Sequence, residues 1–291
     1  MPNIKLLQPT SIQEAVSMLS EHRDDAKIIA GGTAMVIMLR NRLIAPSVLL
    51  SLGRLQNLRY IRHEPGIGLR IGALTAIREA ELSPLVREKN PTLAQTFGEV
   101  ANVRVRNTAT VGGNLSEADY ASDPPCVLVA MRARVKANSV RGEREIPLTE
   151  LFQGFYETSL AQDEVLTELI IPDPSPTTRS AYIRYVTRSS EDRPCVGLAA
   201  VLEMEPDGIC KDMRVVAGAV ASTPQEIASA EALAQGHRMT DKLIKEIGDA
   251  YASAIDPISD MRGSDWYRKQ MIRVFVCRTI QKALANGRNG T

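Results

Sequence analysis

Residues 27–43, KIIAGGTAMVIMLRNRL, read as a short apolar strand, a tight turn at Gly31-Gly32 and a helix starting near Thr33. Adjacent glycines let a backbone approach a ligand closely and tolerate positive φ, while the first N–H groups of a helix lack intrahelical acceptors. Such a turn suits an anion, phosphate above all. On these residues alone it is equally an ordinary strand-to-helix connection. A second pair, in Thr108-Ala109-Thr110-Val111-Gly112-Gly113-Asn114-Leu115, again sets Thr beside Gly-Gly. Two turns of this kind can hold one diphosphate from both sides, which requires a fold that brings them to one pocket.

The rest of the chain is read around that requirement. Ser11 with Glu14 fits a capping box ahead of a helix whose inner face is Ile12, Ala15, Val16 and Leu19, after an edge strand over 2–6. Pro46 ends the region of the second helix, and SVLLSLGRL supplies a buried strand with a turn at Gly53. LRYIRHEPGIGLRIGAL reads as a hairpin turning near Pro65-Gly66; Thr75 then starts a helix through Glu81, and 91–103 is another. The proline pair at 124–125 suits a first helical turn, where Asp123 either caps the helix or presents its carboxylate to a polyol hydroxyl. A strand follows around 133–137, then strand, short helix, loop and strand to Pro172. Pro172, Pro174 and Pro176 place the domain boundary near 173–178. Beyond it three strand segments (SAYIRYVTR, CVGLAAVLEME, DMRVVAGAV) precede three helical ones (PQEIASAEALAQG, TDKLIKEIGDAYASA, SDWYRKQMIRVFVCRTIQKALANG), the last capped by Ser264. The GRNGT tail is expected to fray. At 291 residues, two domains of ordinary size are expected.

Several chemistries are disfavoured. With 35 basic and 34 acidic side chains the net charge is +1, so no overall field favours nucleic acid or an anionic membrane. The amino terminus lacks the basic start and apolar segment of an export signal, and no apolar stretch is long enough to span a bilayer, so a cytoplasmic protein with no integral membrane span is expected. Cys126, Cys195, Cys210 and Cys277 show no cluster-binding spacing. His22, His63 and His237 are scattered and read as surface or local-packing residues rather than metal ligands. Asp119 and Asp123 lack the pattern of a calcium loop, and Ser116, Ser122 and Cys126 form no nucleophile elbow. Cys126 is expected to pack as a small apolar residue. WYRKQMIRVF reads as an amphipathic helix with Trp266, Tyr267, Met271, Val274 and Phe275 packed inward, not as a nucleic-acid surface.

The ordered set AGGT at 30–33, IGALT at 71–75, RNTATVGGN at 106–114, Asp123, REIPLTELF at 144–152 and DEVLTELIIP ending at Pro172 resembles the flavoprotein, or medium, subunit of the molybdenum hydroxylases, the xanthine dehydrogenase, aldehyde oxidase and carbon monoxide dehydrogenase group. The likeness continues through 182–188 and SDMRGSDWYR, nearly the whole chain, and argues against a Rossmann fold, whose GxGxxG is absent. It implies an α+β architecture: a two-subdomain FAD-binding fold over 1–175, with subdomains of about 1–55 and 56–175, then a smaller α+β C-terminal domain over 178–286. It implies that Ala30, Gly31, Gly32, Thr33 and Ala34 cover the FAD pyrophosphate from one side and Thr110, Val111, Gly112, Gly113 and Asn114 from the other. Asp123 matches the acid that contacts the ribityl region; Leu166 and Arg184 fall at inner flavin-pocket positions. Ile28, Ile29, Thr75 and Ala101 complete the implied set, with no catalytic residue and no metal ligand.

FAD is then the only redox group expected in this chain. The resemblance implies a large partner with the molybdopterin cofactor and a small one with two [2Fe–2S] clusters, in a heterotrimer or a dimer of heterotrimers, with electrons leaving FAD for NAD, oxygen or another acceptor. Two departures stand out: Ala34 replaces an Asp or Asn of many relatives, and SSEDRPC offers Ser190, Asp192 and Arg193 where some carry an aromatic ring. If Arg184 and Arg193 line the flavin side, their charge should favour anionic reduced flavin, the alternative for Arg193 being a surface ion pair with Glu191 or Asp192. Two other functions stay open: an independent FAD-dependent oxidase or dehydrogenase with its own substrate site, and a noncatalytic flavin-dependent assembly protein.

Overall fold

Short apolar strands separated by helices favour parallel pairing, because parallel neighbours need a crossover. In the computed structural model, which describes residues 4–286, the first such run behaves this way. β1 (Lys5–Leu7), α1 (Ile12–His22), β2 (Ala26–Ile29), α2 (Met35–Arg40) and β3 (Val48–Ser51) make a parallel sheet ordered β1-β3-β2. Ala15, Val16 and Leu19 of α1 share its core with Val48 and Leu50. Ser11 Oγ accepts the Glu14 N–H at 3.1 Å, but the Glu14 carboxylate takes the N–H and hydroxyl of Thr10, at 2.7 and 2.9 Å. The reciprocal half of the capping box therefore closes one residue early. The edge strand is Lys5–Leu7 rather than 2–6, and residues 1–3 lie outside the described chain.

The next unit contains the hairpin β4 (Ile61–Glu64) and β5 (Gly68–Gly72), helices α3 (Ile77–Leu82), α4 (Pro84–Lys89), α5 (Pro91–Glu99), α6 (Val103–Arg106), α7 (Val111–Glu117) and α8 (Asp123–Ala130), then β6 (Arg134–Ser139), β7 (Gly142–Pro147), α9 (Leu148–Leu151), β8 (Phe152–Gly154), β9 (Glu157–Thr158) and β10 (Val165–Ile171). Its sheet runs β4-β5-β10-β6-β7, antiparallel throughout, while β8 and β9 form a separate ribbon inside the segment read as a loop. β10 is central and buried along its length. Its one carboxylate, Glu168, is met by the Arg70 guanidinium at 2.8 and 2.7 Å and by the Tyr60 hydroxyl, as a buried charge requires.

β11 (Thr178–Tyr185), β12 (Val196–Met204), β13 (Cys210–Gly218) and β14 (Gln225–Glu226) form an antiparallel sheet in chain order, followed by α10 (Ala228–Glu231), α11 (Asp241–Ala254) and α12 (Asp265–Asn286). Both faces of this sheet are covered. Tyr182, Ala199, Val201 and Val216 join the core around α8, whereas Leu198, Ala200, Leu202, Val215 and Ala217 join that of α11 and α12. Two-sided burial explains why β12 reads as a continuous apolar run without alternation.

Several boundaries differ from the sequence reading, each with a local cause. α2 begins at Met35, after a turn that runs through Ala34, not near Thr33. Thr75 precedes its helix instead of starting it; its hydroxyl accepts the Tyr60 N–H at 3.2 Å and donates to the Tyr60 carbonyl at 3.0 Å. The helix read over 91–103 breaks at 100–102, where Ala101 adopts φ +43° and Asn102 accepts from the N–H groups of Arg104 and Val105, capping a new helix. PQEIASAEALAQG holds only the four helical residues of α10, because Gln225–Glu226 are captured by the edge of β13. Ser264 does cap α12, accepting the Tyr267 N–H at 3.2 Å, but Trp266 is 67% exposed rather than packed inward. The GRNGT tail lies outside the described residues.

Candidate functional site

The turn after β2 and the segment Ala109–Asn114 face each other across a cavity of about 440 Å³, walled by Ala73, Leu74, Val165 and Leu166. Residue 31 must be glycine for this approach: a Cβ there would stand 2.0 Å from the Thr108 carbonyl oxygen. Gly32 is needed for a different reason, its φ of +75°, since a Cβ would meet nothing closer than 3.4 Å. The N–H groups of Gly31, Gly32, Thr33 and Ala34 donate to no backbone carbonyl among the described residues. Successive N–H groups left free in this way form an anion-binding concavity.

The two glycine turns are not equivalent. Around the second, the Val111 N–H donates to Thr75 O and the Gly112 N–H to Ala73 O, both at 2.9 Å. The Gly113 N–H takes the Thr110 hydroxyl at 3.1 Å, and Asn114 N–H takes Thr110 O at 2.9 Å. The first two donors fasten α7 to the β5 side of the cavity, and the last two close its first turn on Thr110. The Asn114 side chain lines the cavity while exchanging hydrogen bonds with the Ser122 hydroxyl at 2.8 and 3.2 Å.

Of the sequence-expected residues, Ile28, Ile29, Ala30, Gly31, Gly32, Thr33, Ala34, Thr110, Gly112, Gly113, Asn114 and Leu166 line the cavity together. Thr75, Ala101, Val111, Asp123 and Arg184 do not. Thr75 and Val111 are buried behind the wall, and Ala101 sits in the break before α6. Asp123 neither caps α8 nor faces the cavity: it accepts from the Tyr182 hydroxyl at 2.6 Å and lies 3.4 Å from the Arg184 guanidinium. Burial pushes the Asp123 carboxyl up to about 7, against the opposing pull of Arg184 and Tyr182. Arg193 pairs with Asp119 rather than with Glu191 or Asp192.

The cavity also holds residues that sequence reasoning missed, among them Lys27, Glu117 and Tyr156. Tyr156 is placed by its own φ of +58° and an N–H bond to Ala118 O at 3.1 Å, for which FYE carries no obvious local signal. Burial, and then the neighbouring Asp119, push the Glu117 carboxyl up to about 7, with Arg193 opposing. The folded state therefore favours its protonated form, a stabilisation fully present below the unfolded value of about 4.3 and lost as pH rises through about 7. Glu117→Gln, which cannot ionise, is expected to raise the urea midpoint over wild type more at pH 8 than at pH 5; equal increments at the two pH values would count against a shifted Glu117.

The donor set fits a phosphorylated cofactor. Lys27 is the one cation among the lining residues, so phosphate charge would be met chiefly by backbone N–H groups, while the apolar walls suit a flat ring system. A larger cavity of about 690 Å³ lies between α5, the proline-rich linker and β11, and contains none of these residues.

Comparison with known proteins bears on the same residues. Positions 2–174 match a family model described as the FAD binding domain in molybdopterin dehydrogenase, and 181–283 match the CO dehydrogenase flavoprotein C-terminal domain. The chain is 32% identical over 287 residues to the 6-hydroxypseudooxynicotine dehydrogenase complex subunit alpha of Paenarthrobacter nicotinovorans, covering 99% of this chain and 96% of that one. It is 33% identical to the nicotine 6-hydroxylase medium subunit of the same organism, covering 97% and 98% of the two chains. Among solved structures, carbon monoxide dehydrogenase of Hydrogenophaga pseudoflava, in a form lacking the Mo-pyranopterin moiety of its cofactor, superposes with a TM-score of 0.94 at 30% identity over 98% of both chains.

Proposed function

We propose that this chain, which belongs to the FAD-binding medium subunits of the molybdenum hydroxylase family, takes electrons from [2Fe–2S] clusters of a small partner and passes them through FAD to a diffusible acceptor. Membership makes it a flavoprotein electron-transfer subunit of an oxidoreductase. The observation that carries the site-level reading is the run of free N–H groups from Gly31 to Ala34 over the cavity. In this reading those groups bind the FAD diphosphate, and the already committed donors of 111–114 hold the opposite wall in place. Ile28, Ile29 and Leu166 exclude water from the cofactor. Asp123 and Arg184 lie beyond the wall, where they set the electrostatics of its inner end.

When bound, FAD supplies the one- and two-electron chemistry that joins single-electron clusters to a two-electron acceptor. The chain's own part is to hold, orient and shield it. We assign the molybdopterin cofactor to a large partner and expect a heterotrimer or its dimer, acting on NAD, oxygen or another acceptor. No helix of the described residues is long and apolar enough to cross a membrane, and we assign the complex to the cytoplasm.

Purifying the tagged full chain from its native host tests the assignment. Co-purification of a larger and a smaller chain, with molybdenum and iron in the complex, is the expected result. An isolated chain that turns over a substrate with FAD alone would instead make it an independent oxidase or dehydrogenase.

A further inference from the structure

Asp123 is only 5% exposed, and both side chains that approach its carboxylate come from β11, across the interface with the C-terminal sheet. Arg184 meets the carboxylate only as an ion pair, its Nε 3.4 Å from Asp123 Oδ1 without hydrogen-bond geometry, while its terminal nitrogens donate to the carbonyls of Glu99 and Asp192. Tyr182, itself 1% exposed, is left as the side chain that donates to the carboxylate. It reaches that position because the neighbouring strand has no side chain at 197, where a Cβ would stand 2.6 Å from the Tyr182 hydroxyl oxygen. Asp123 follows Ser122 directly, and Ser122 holds the cavity-lining Asn114 amide. A continuous path of contacts thus runs from the C-terminal sheet to the cavity wall.

We propose that Tyr182 is a positioning residue for the cofactor cavity: its hydroxyl, admitted by Gly197, holds the Asp123 carboxylate in a fixed orientation and steadies the start of α8 behind Asn114. The inference rests on the flavin reading only for the identity of what fills the cavity. The groups that face Asp123 are Tyr182 and Arg184 from β11, Glu99 from the end of α5 and Cys126 one turn along α8. A donor to the charged form favours it, so removal of the hydroxyl shifts the carboxyl toward protonation.

Infrared spectroscopy of the full chain reads this directly. The carbonyl band of protonated Asp123, identified by its loss in Asp123→Asn, is followed against pH with FAD bound and after its removal. Tyr182→Phe keeps the ring and is expected to move the midpoint upward by about one pH unit in both states, with an unchanged circular-dichroism spectrum. Gly197→Ala, which displaces the hydroxyl while retaining it, should move it the same way and stands in if Tyr182→Phe does not fold. An unshifted midpoint in the folded, FAD-free variant overturns the positioning role, whatever the cavity binds. A wild-type midpoint indifferent to FAD, together with an upward shift in Tyr182→Phe, would support the role of Tyr182 and count only against the flavin reading of Asp123.

Discussion

Replacing Gly32 with aspartate is expected to weaken FAD binding at least about a hundredfold while leaving the fold in place. A Cβ at this position has room, so the chain is not forced apart, but φ of +75° is costly for any residue with a side chain. The left-handed conformation costs roughly 1–2 kcal/mol. A carboxylate beside the free N–H groups of 31–34 adds repulsion against a diphosphate, about 4 kcal/mol for unit charges at roughly 4 Å in a partly solvated site. Where the free variant relieves the strain by leaving the left-handed turn, binding must restore it, and half of the repulsion then brings the total to about 3 kcal/mol, or two decades of affinity. Gly32→Ala separates the contributions, with an expected loss nearer tenfold. Calorimetric titration of FAD into the apo-protein checks both, and wild-type affinity in Gly32→Asp would place the diphosphate elsewhere.

Arg268→Met should lower unfolding stability by about 3 kcal/mol, at the lower end of what removing one partner of a buried ion pair does. Arg268 is fully buried, with Nε on Cys195 O at 3.0 Å and the remaining nitrogens on Ile258 O at 2.5 Å, Gly263 O at 2.9 Å and Asp260 Oδ1 at 2.7 Å. Without it, three carbonyls and a carboxylate lose their donor. The loop holding Ile258, Asp260 and Gly263 packs against the α7–α8 connection, where Asp260 also accepts from the Tyr120 hydroxyl at 2.9 Å. Because Asp260 keeps 19% side-chain exposure and can rehydrate, the loss stops short of the full range. Urea unfolding followed by circular dichroism measures it. A change below about 1 kcal/mol would mean that the arginine is not the keystone of this loop. FAD affinity should fall less than tenfold, since no atom of Arg268 lines the cavity.

These residues mark where sequence reasoning succeeds and where it stops. The strand and glycine pair over 27–32, the Pro65-Gly66 hairpin and the Ser264 cap are local, written in turn chemistry and apolar periodicity, and they fold as read. The family resemblance carried the architecture further than periodicity could, because β12, buried on both faces, has no alternation to read. Failures cluster where a distant partner overrides local preference. Pro224 and the residues after it look helical until the edge of β13 claims Gln225–Glu226. The 91–103 helix ends early because the Asn102 side chain caps a new helix at Val103, a break that the apolar pattern around it conceals. Glu117, Tyr156 and Tyr182 gain their roles only from contacts across the fold, and no spacing in the chain announces them. Likewise, the two Gly-Gly motifs look alike in sequence, yet one leaves its N–H groups free and the other spends them on Thr75 and Ala73.

The most direct test is the flavin content of the purified full chain after incubation with excess FAD and removal of unbound cofactor. Absorbance of the flavin released on denaturation, set against protein concentration, should give one FAD per chain, released intact because the binding turn offers N–H donors and no cysteine or histidine for a covalent link. A chain that is folded by circular dichroism and free of flavin after the same treatment would contradict the account at its centre.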